Sequence, residues 1–319
     1  MIRLTTEELL SEVRAWVEIE SPTNCKAGVD RVADLVEAKL RALGAAIERT
    51  AGVDGFGDIL IGRIGGRTQV AGILLLGHMD TVHQVGTLAG PLPFRVEGDR
   101  AYGPGIYDMK GGNAIALAAL AHLDAQDRRP HLPVTVMMIP DEEVGSPTSR
   151  AAIEREARRH AIALVVEPSG DGGRLTVGRH GIARWHLKTV GRSAHAGAYH
   201  GKGRSAIREM ARQILAIEAL TDYSRNFFVN IGTVSGGTHE NMVPAECRAI
   251  CYALVPTARE ETELREALMA LRPHDPDVAL EVTAGLSRPP YGKSPAIQAL
   301  YDQARRLAET IGYPVKGER

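Results

Sequence analysis

Acidic side chains and one histidine stand in this sequence at the points where apolar runs end. The run Val70–Leu76 stops at Gly77-His78-Met79-Asp80, Val134–Ile139 at Pro140-Asp141-Glu142-Glu143, and Ala161–Val166 at Glu167-Pro168. Between the first two lies a glycine-rich stretch, residues 102–112 (YGPGIYDMKGG), with Asp108 in its middle. In open α/β sheets ligands bind beyond the carboxyl ends of the strands. Imidazole and carboxylate groups delivered there suit Zn2+, in a site that keeps one position open for water. Two such ions bridged by a carboxylate lie about 3.5–4 Å apart and jointly activate water and polarise a carbonyl. A two-metal hydrolase is therefore the first expectation.

The spacings fit that chemistry residue by residue. His78 is a candidate ligand, and Asp80, two residues on, can fix its tautomer. Asp108 sits where glycines permit unusual backbone angles, so it can bridge two ions. Glu142 and Glu143 are adjacent and point apart, so one can ligate while the other holds a proton. Glu167 would complete the first ion's set. Taken singly, each has a plainer reading: a surface His-x-Asp, acids opening a helix, a turn aspartate, a loop entry. Together, at strand ends within one domain, they argue for a metal site.

These residues need a scaffold, and the length supplies one. At 319 residues two domains are expected. The chain is 44% hydrophobic and 24% charged with a formal net charge of −1, a balance that predicts neither nucleic acid nor membrane as partner. Aromatics are only 4%, too few for a base-stacking platform. No apolar run reaches the roughly 18 residues of a spanning helix. Residues 1–10 lack the apolar core and cleavage pattern of a secretory signal, so a cytoplasmic location is expected. Cys25, Cys247 and Cys251 are too scattered for a disulfide framework; the last two read as packing residues of a strand.

Periodicity predicts a helix over 5–18 capped by Thr5 or Thr6, and a second over 29–43 ending at Gly44. Strands are expected near 45–50, 58–63 and 70–76, a small-residue helix over 111–123, then strand 133–139, helix 148–159 and strand 162–166. This βαβ alternation predicts an α/β catalytic domain with a mainly parallel sheet. From about residue 178 the pattern becomes strand, helix, two strands, helix, strand, the order of a ferredoxin-like α+β domain. A helix over 294–311 returns to α/β character. The expected organisation is a catalytic domain of 1–177 and 286–319, interrupted by an inserted domain of 178–285.

The ordered motifs GHMDTV (77–82), YGPGIYDMKGG (102–112), PDEEVGS (140–146), VEP (166–168), GRSAHAG (191–197) and NMVP (241–244) resemble, nearly end to end, the di-zinc family of glutamate carboxypeptidase, acetylornithine deacetylase and aminoacylase. The resemblance implies a zinc-peptidase-type fold with an inserted dimerisation, or lid, domain, and a homodimer through that domain. It implies that His78, Asp108 and Glu167 bind one zinc, and Asp108 and Glu143 the other. Asp80 would orient His78 and Glu142 would be the general base. His195 would resemble the lid histidine that reaches the partner subunit's active site and steadies the oxyanion. Asn241 would contact the polar end of a small substrate bearing a carboxylate. Two zinc ions per subunit are implied, with Co2+ or Mn2+ as alternatives that the same donors accept.

Two departures qualify the resemblance. Where the glutamate carboxypeptidase branch carries Asp-x-Arg after the NMVP block, this chain has Tyr252 and Leu254, and leucine cannot pair with a carboxylate. The family's later Gly-Gly-x-Ser/Thr-Asp segment and its histidine ligand to the second zinc are not in this sequence, and no spacing recommends His83 or His239 as substitutes. The expectation is a longer natural chain, with the short form a weak or inactive hydrolase. The functional expectation is hydrolysis of an amide bond in an N-acyl amino acid or small peptide by metal-activated water with a glutamate base. The rivals are an exopeptidase of the same mechanism and an inactive relative that binds a carboxylated ligand. Gly103-Pro104-Gly105 lacks the spacing of a dinucleotide loop.

Overall fold

A computed structural model describes residues 5–65, 70–128, 130–169, 173–313 and 315. The chain forms two compact units, Met1–Pro168 and Ser169–Arg319. The first contains α1 (Thr6–Val17), α2 (Lys26–Ala42), β1 (Ala46–Thr50), β2 (Ile59–Ile64), β3 (Ile73–His78), β4 (Arg95–Glu97), β5 (Arg100–Tyr102), α3 (Gly111–Ala125), β6 (Val134–Ile139), α4 (Arg150–Ala157) and β7 (Ile162–Val165). The second contains β8 (Gly181–Val190), β9 (Ala194–His195), α5 (Ala206–Glu218), β10 (Phe228–Gly236), β11 (Met242–Val243), β12 (Glu246–Val255), α6 (Ala258–Ala270), β13 (Ala279–Arg288) and α7 (Pro295–Thr310).

Local chemistry sets the helix ends. Thr5 caps α1 in a reciprocal box with Glu8, which satisfies two orphan amides. Gly44 takes φ +73° after α2; its amide reaches Arg41 O while that of Ala45 reaches Leu40 O, closing the helix. The helix begins at Lys26, a turn earlier than the periodicity predicts, because Lys26, Ala27 and Gly28 offer no large apolar side chain to mark that turn.

In the first unit the strand order is β1-β2-β6-β3-β7. β3 runs parallel to β6 and β7, whereas β1–β2 and β2–β6 are antiparallel. The sheet is mixed, which corrects the expectation of a mainly parallel one. The link between β1 and β2 carries no helix, and strands joined directly by a loop fold back on each other. Alternate residues of the central strands face opposite layers. Leu60, Val134, Val136 and Met138 pack against Trp16, Val36 and Leu117 of the first three helices. Ile59, Ile61, Leu74, Met137 and Ile139 pack on the α4 side, with Ala152. Both faces of β6 are covered, which is why its sequence is a continuous apolar run. Each fully buried side chain of this size contributes roughly 1.5–3 kcal/mol.

The second unit holds an antiparallel sheet of order β10-β12-β8-β13. With α5 and α6 between strands, the chain order is β-α-β-β-α-β, the ferredoxin-like arrangement. Trp185, Leu187, Ala249 and Cys251 face Met210, Ile217, Leu264 and Leu268 of the two helices. Cys247 and Cys251 are free and buried, and burial pushes the Cys251 thiol up to about 11, as befits packing residues. The structure groups α7 with this second unit, whereas the sequence pattern joins 286–319 to the catalytic domain. Among the described residues no helix is long and apolar enough to cross a membrane.

Candidate metal centre

β3, β6 and β7 end side by side. Parallel pairing sets His78, the last residue of β3, against Ile139, the last of β6, and Leu76 against Val165 of β7. The strand therefore includes Gly77 and His78 themselves, two residues past its expected end. Glu142 and Glu143 lie in a single tight turn immediately after β6. Asp141 anchors that turn: its buried carboxylate accepts from the amides and hydroxyls of Thr148 and Ser149. Asp108 lies in the irregular turn Ile106–Lys110 that leads into α3, beside a cis Asp108–Met109 peptide.

Glycine allows the parts to meet. A Cβ on Gly77 would fall 2.0 Å from Asn113 Oδ1, and one on Gly112 would fall 1.9 Å from Val166 O. The start of α3 therefore sits directly against the ends of β3 and β7. Asn113 Nδ2 donates to His78 O at 2.7 Å and holds the strand end in place.

Five predicted residues surround His78. Its Nδ1 lies 2.9 Å from Asp80 O, and a carbonyl only accepts, so Nδ1 carries a proton. Nε2 then faces Asp108 Oδ1 at 2.9 Å and Glu167 Oε1 at 3.6 Å. His78, Glu142 and Glu167 bring ligand atoms within 4.8 Å of one another, and so do His78, Asp108 and Glu143. The Asp80 carboxylate stands behind the ring, with Oδ1 3.3 Å from Nδ1, and accepts from the amides of Glu142 and Glu143, each at 3.2 Å.

Burial works against charge on the His78 ring, but hydrogen bonds to Asp108 and Asp80 and the charge of Glu167 outweigh it, raising its pKa to about 11. Burial, reinforced by Asp108 and Glu142, pushes Glu167 up to about 7. Burial also raises Glu143, while the hydrogen bond from His78 lowers Asp108. Without an ion, protons balance the crowded carboxylates. Oxygen and imidazole donors held this close fit a divalent cation, which would take the place of the Nε2 proton.

A cleft of about 380 Å3 opens beside the cluster, lined by Asp108 and Glu143 together with Val82, His83, Leu92 and Tyr107. His83 thus borders the cleft, although it is in neither group of converging ligand atoms.

The other two predicted residues belong to the second unit and lie next to each other. β9 pairs with β11, His195 opposite Met242, and the Ala196 amide donates to Asn241 O at 2.8 Å. His195 is exposed, and its Nδ1 accepts from the amides of Gly197 and Ala198 at 3.2 and 3.1 Å. An accepting Nδ1 places the proton of the neutral ring on Nε2, which makes it a donor. Tyr252 and Leu254 stand on β12, and exposed Arg184 lies directly across from Tyr252 on β8.

Imidazole and carboxylates gathered at the carboxyl ends of α/β strands, beside a cleft, form a candidate metal centre, and the family match makes the chain a metallohydrolase. The chain belongs to peptidase family M20/M25/M40, whose sequence profile matches residues 74–318. It is 36% identical over 305 residues to carboxypeptidase G2 of Pseudomonas sp. (strain RS-16), covering 93% of this chain and 72% of that one. To acetylornithine deacetylase of Myxococcus xanthus it is 30% identical over 234 residues, covering 68% of this chain and 59% of that one. Among solved structures, aminopeptidase PepT from Bacillus cereus aligns with a TM-score of 0.78 at 22% identity, over 99% of this chain and 85% of that one. The M20 family metallo-carboxypeptidase Sso-CP2 from Sulfolobus solfataricus aligns with a TM-score of 0.72 at 15% identity, over 98% and 85%. At these identities the structural likeness is one of fold.

Proposed function

We propose that this protein is a zinc-dependent hydrolase of amide bonds in N-acyl amino acids or small peptides. The observation that carries the reading is the pair of triads that share His78, one with Glu142 and Glu167 and one with Asp108 and Glu143, with Nε2 of His78 facing Asp108. In this reading His78, Asp108 and Glu167 hold one zinc and Asp108 and Glu143 the second. Bound metal supplies Lewis acidity toward a carbonyl and acidifies water. Glu142 takes the proton from the attacking water and returns it to the leaving amine. Asp80 fixes the His78 ring, as its two contacts to Nδ1 support.

His195, with Nε2–H outward, would donate to the developing oxyanion of a partner subunit's substrate, and Asn241 beside it would meet the substrate's polar end. Residues 178–285 would then serve as the dimerisation domain of a homodimer, and 1–177 with 286–319 as the catalytic domain. Relatives named carboxypeptidase and deacetylase support both substrate classes. Three free cysteines support a reducing, cytoplasmic setting.

The test is metal content per chain on the purified protein, with hydrolysis of mixed N-acyl amino acids and dipeptides assayed on the same sample. Near two metals per chain with turnover is the expected result. Absence of both metal and turnover would show that the motifs mark ancestry without activity.

A further inference from the structure

The segment that follows α1, Ile19–Thr23, lies against the metal centre without contributing a ligand. Its backbone is paired with the stretch beyond β3. Pro22 bridges Thr81 in parallel, the Thr81 amide donates to Ser21 O at 2.9 Å, and the Thr23 amide to Thr81 O at 3.3 Å. Two side chains continue the register. Ser21 Oγ donates to Met79 O at 2.8 Å, and Thr23 Oγ1 donates to Asp80 Oδ2 at 2.8 Å. On its other side the strap is tied to the Asp108 turn, because Lys110 Nζ donates to Ile19 O at 2.6 Å. Ser21 and Lys110 are almost wholly buried and Thr23 is 8% exposed, so water does not replace these bonds. One five-residue strap therefore touches both halves of the centre: the strand end with His78 and Asp80, and the turn with Asp108.

Thr23 acts on the carboxylate that stands behind the His78 ring, at 3.3 Å from an Nδ1 that also donates to Asp80 O at 2.9 Å. The two oxygens of the buried Asp80 carboxylate do different work. Oδ1 meets His78 Nδ1 and the Glu142 amide, while Oδ2 meets the Glu143 amide and the Thr23 hydroxyl. The hydroxyl contact is the shortest of the four. It pins Oδ2 on the strap side, and rotation about the Cβ–Cγ bond then leaves Oδ1 facing the ring. Losing that donor would leave a buried anion without its shortest hydrogen bond, held only by the His78 ring at 3.3 Å and the amides of Glu142 and Glu143 at 3.2 Å.

We propose that Thr23 is a positioning residue for the metal centre: through Asp80 it sets the orientation of His78 and of the Glu142–Glu143 turn, and so the affinity of the site for its metal. This inference rests on the metal-site reading above.

The test uses Thr23→Val, which keeps shape and removes the hydroxyl, and Thr23→Ser, which restores it. Affinity for Zn2+ alone is measured on purified protein by competition with a chromophoric chelator. The thermal midpoint of the metal-free protein is recorded for each variant. Partners that orient metal ligands typically contribute about 10–100-fold in affinity. The expected result is a loss of that size in Thr23→Val and affinity within about threefold of wild type in Thr23→Ser. The metal-free midpoint should fall in Thr23→Val, which loses a buried hydrogen bond, and recover in Thr23→Ser, so affinities are compared at a temperature where every variant is fully folded. Should Thr23→Val fail to fold, Thr23→Ala carries the same comparison against Thr23→Ser. Wild-type affinity in the hydroxyl-less variant overturns the proposal, and so does a loss in Thr23→Ser as large as that in Thr23→Val, which would show that restoring the hydroxyl does not restore the site. Wild-type protein that binds no Zn2+ would instead overturn the metal-site reading, and this proposal with it.

Discussion

Metal loading of this site should release protons in a number that depends on pH, because protons balance the carboxylates when no ion is present. His78 donates from Nδ1 to a carbonyl and from Nε2 toward Asp108, and its pKa stands at about 11. At any pH from 6 to 8 it is therefore fully protonated in the metal-free protein, and a metal on Nε2 displaces one proton. Glu167, pushed up to about 7, is about nine-tenths protonated at pH 6 and about one-tenth at pH 8. Binding should thus release about two protons at pH 6, about 1.5 at pH 7 and about one at pH 8. Glu143, also raised by burial, adds to the figure at the acid end. Calorimetric titration of Zn2+ into metal-free protein, repeated in buffers of different ionisation enthalpy, gives the number directly. In His78→Ala that proton is gone, but Glu167 and Asp108, which the ring holds down, retain more of their own, so release should no longer keep a pH-independent part. Release near zero at pH 8 in the wild-type protein would refute the reasoning, since it would mean that the His78 proton stays on and that Nε2 is not a ligand.

The catalytic and ligand roles separate by mutation. Glu142→Gln should reduce turnover by about 100- to 10,000-fold with metal content unchanged, and normal turnover would remove Glu142 as the base. Asp108→Ala should lose bound metal on gel filtration, and full occupancy would dismiss its bridging role. Gly112→Ala would drive a Cβ to within 1.9 Å of Val166 O, one residue before Glu167. A destabilisation of about 1–3 kcal/mol and weaker Zn2+ binding should follow, both readable on one sample by thermal melting and chelator competition; an unchanged melt would show that β7 has room to move. Thr5→Ala removes the capping box and should cost about 1 kcal/mol of stability without altering metal affinity. A change in affinity there would show that fraying of α1 reaches the strap at its other end.

The parts of the site that the sequence reveals are those whose signal is local. A run of apolar residues buried on both faces announces β6, and an acid at its end announces the turn beyond it. The six residues placed around the centre by their motifs do converge there, because parallel pairing brings three strand ends into line. What stayed hidden depends on pairing between distant segments. The direction of β2 against β6 is not encoded in either strand's own pattern. The β4–β5 hairpin is too short for periodicity; the turn at Gly98, with φ +61°, was its available signal. Thr23 carries a bond across 57 positions and sits in an aperiodic stretch after a helix. Lys110, between an acid and two glycines, has the look of a surface cation but is 1% exposed.

The convergence of like charges has to be held against its own repulsion, and the structure shows where the restraint comes from. The donors lie on four separate segments, each fixed by contacts that do not involve a ligand atom. Asn113 holds the backbone of His78, Asp141 closes the turn bearing Glu142 and Glu143, and Lys110 ties the Asp108 turn to Ile19. The fourth is set by the contact of Gly112 with Val166, next to Glu167. Removing one ligand should therefore leave the remaining donors in place, while loosening an anchor should weaken the site with every ligand present. Because ligand positions span residues 78 to 167, the geometry exists only in the folded unit, and metal binding must draw on folding and stabilise it in return. A metal-free sample should accordingly melt lower than a loaded one by an amount that grows with free Zn2+ concentration, about 1.4 kcal/mol for each tenfold increase above the dissociation constant for each ion bound.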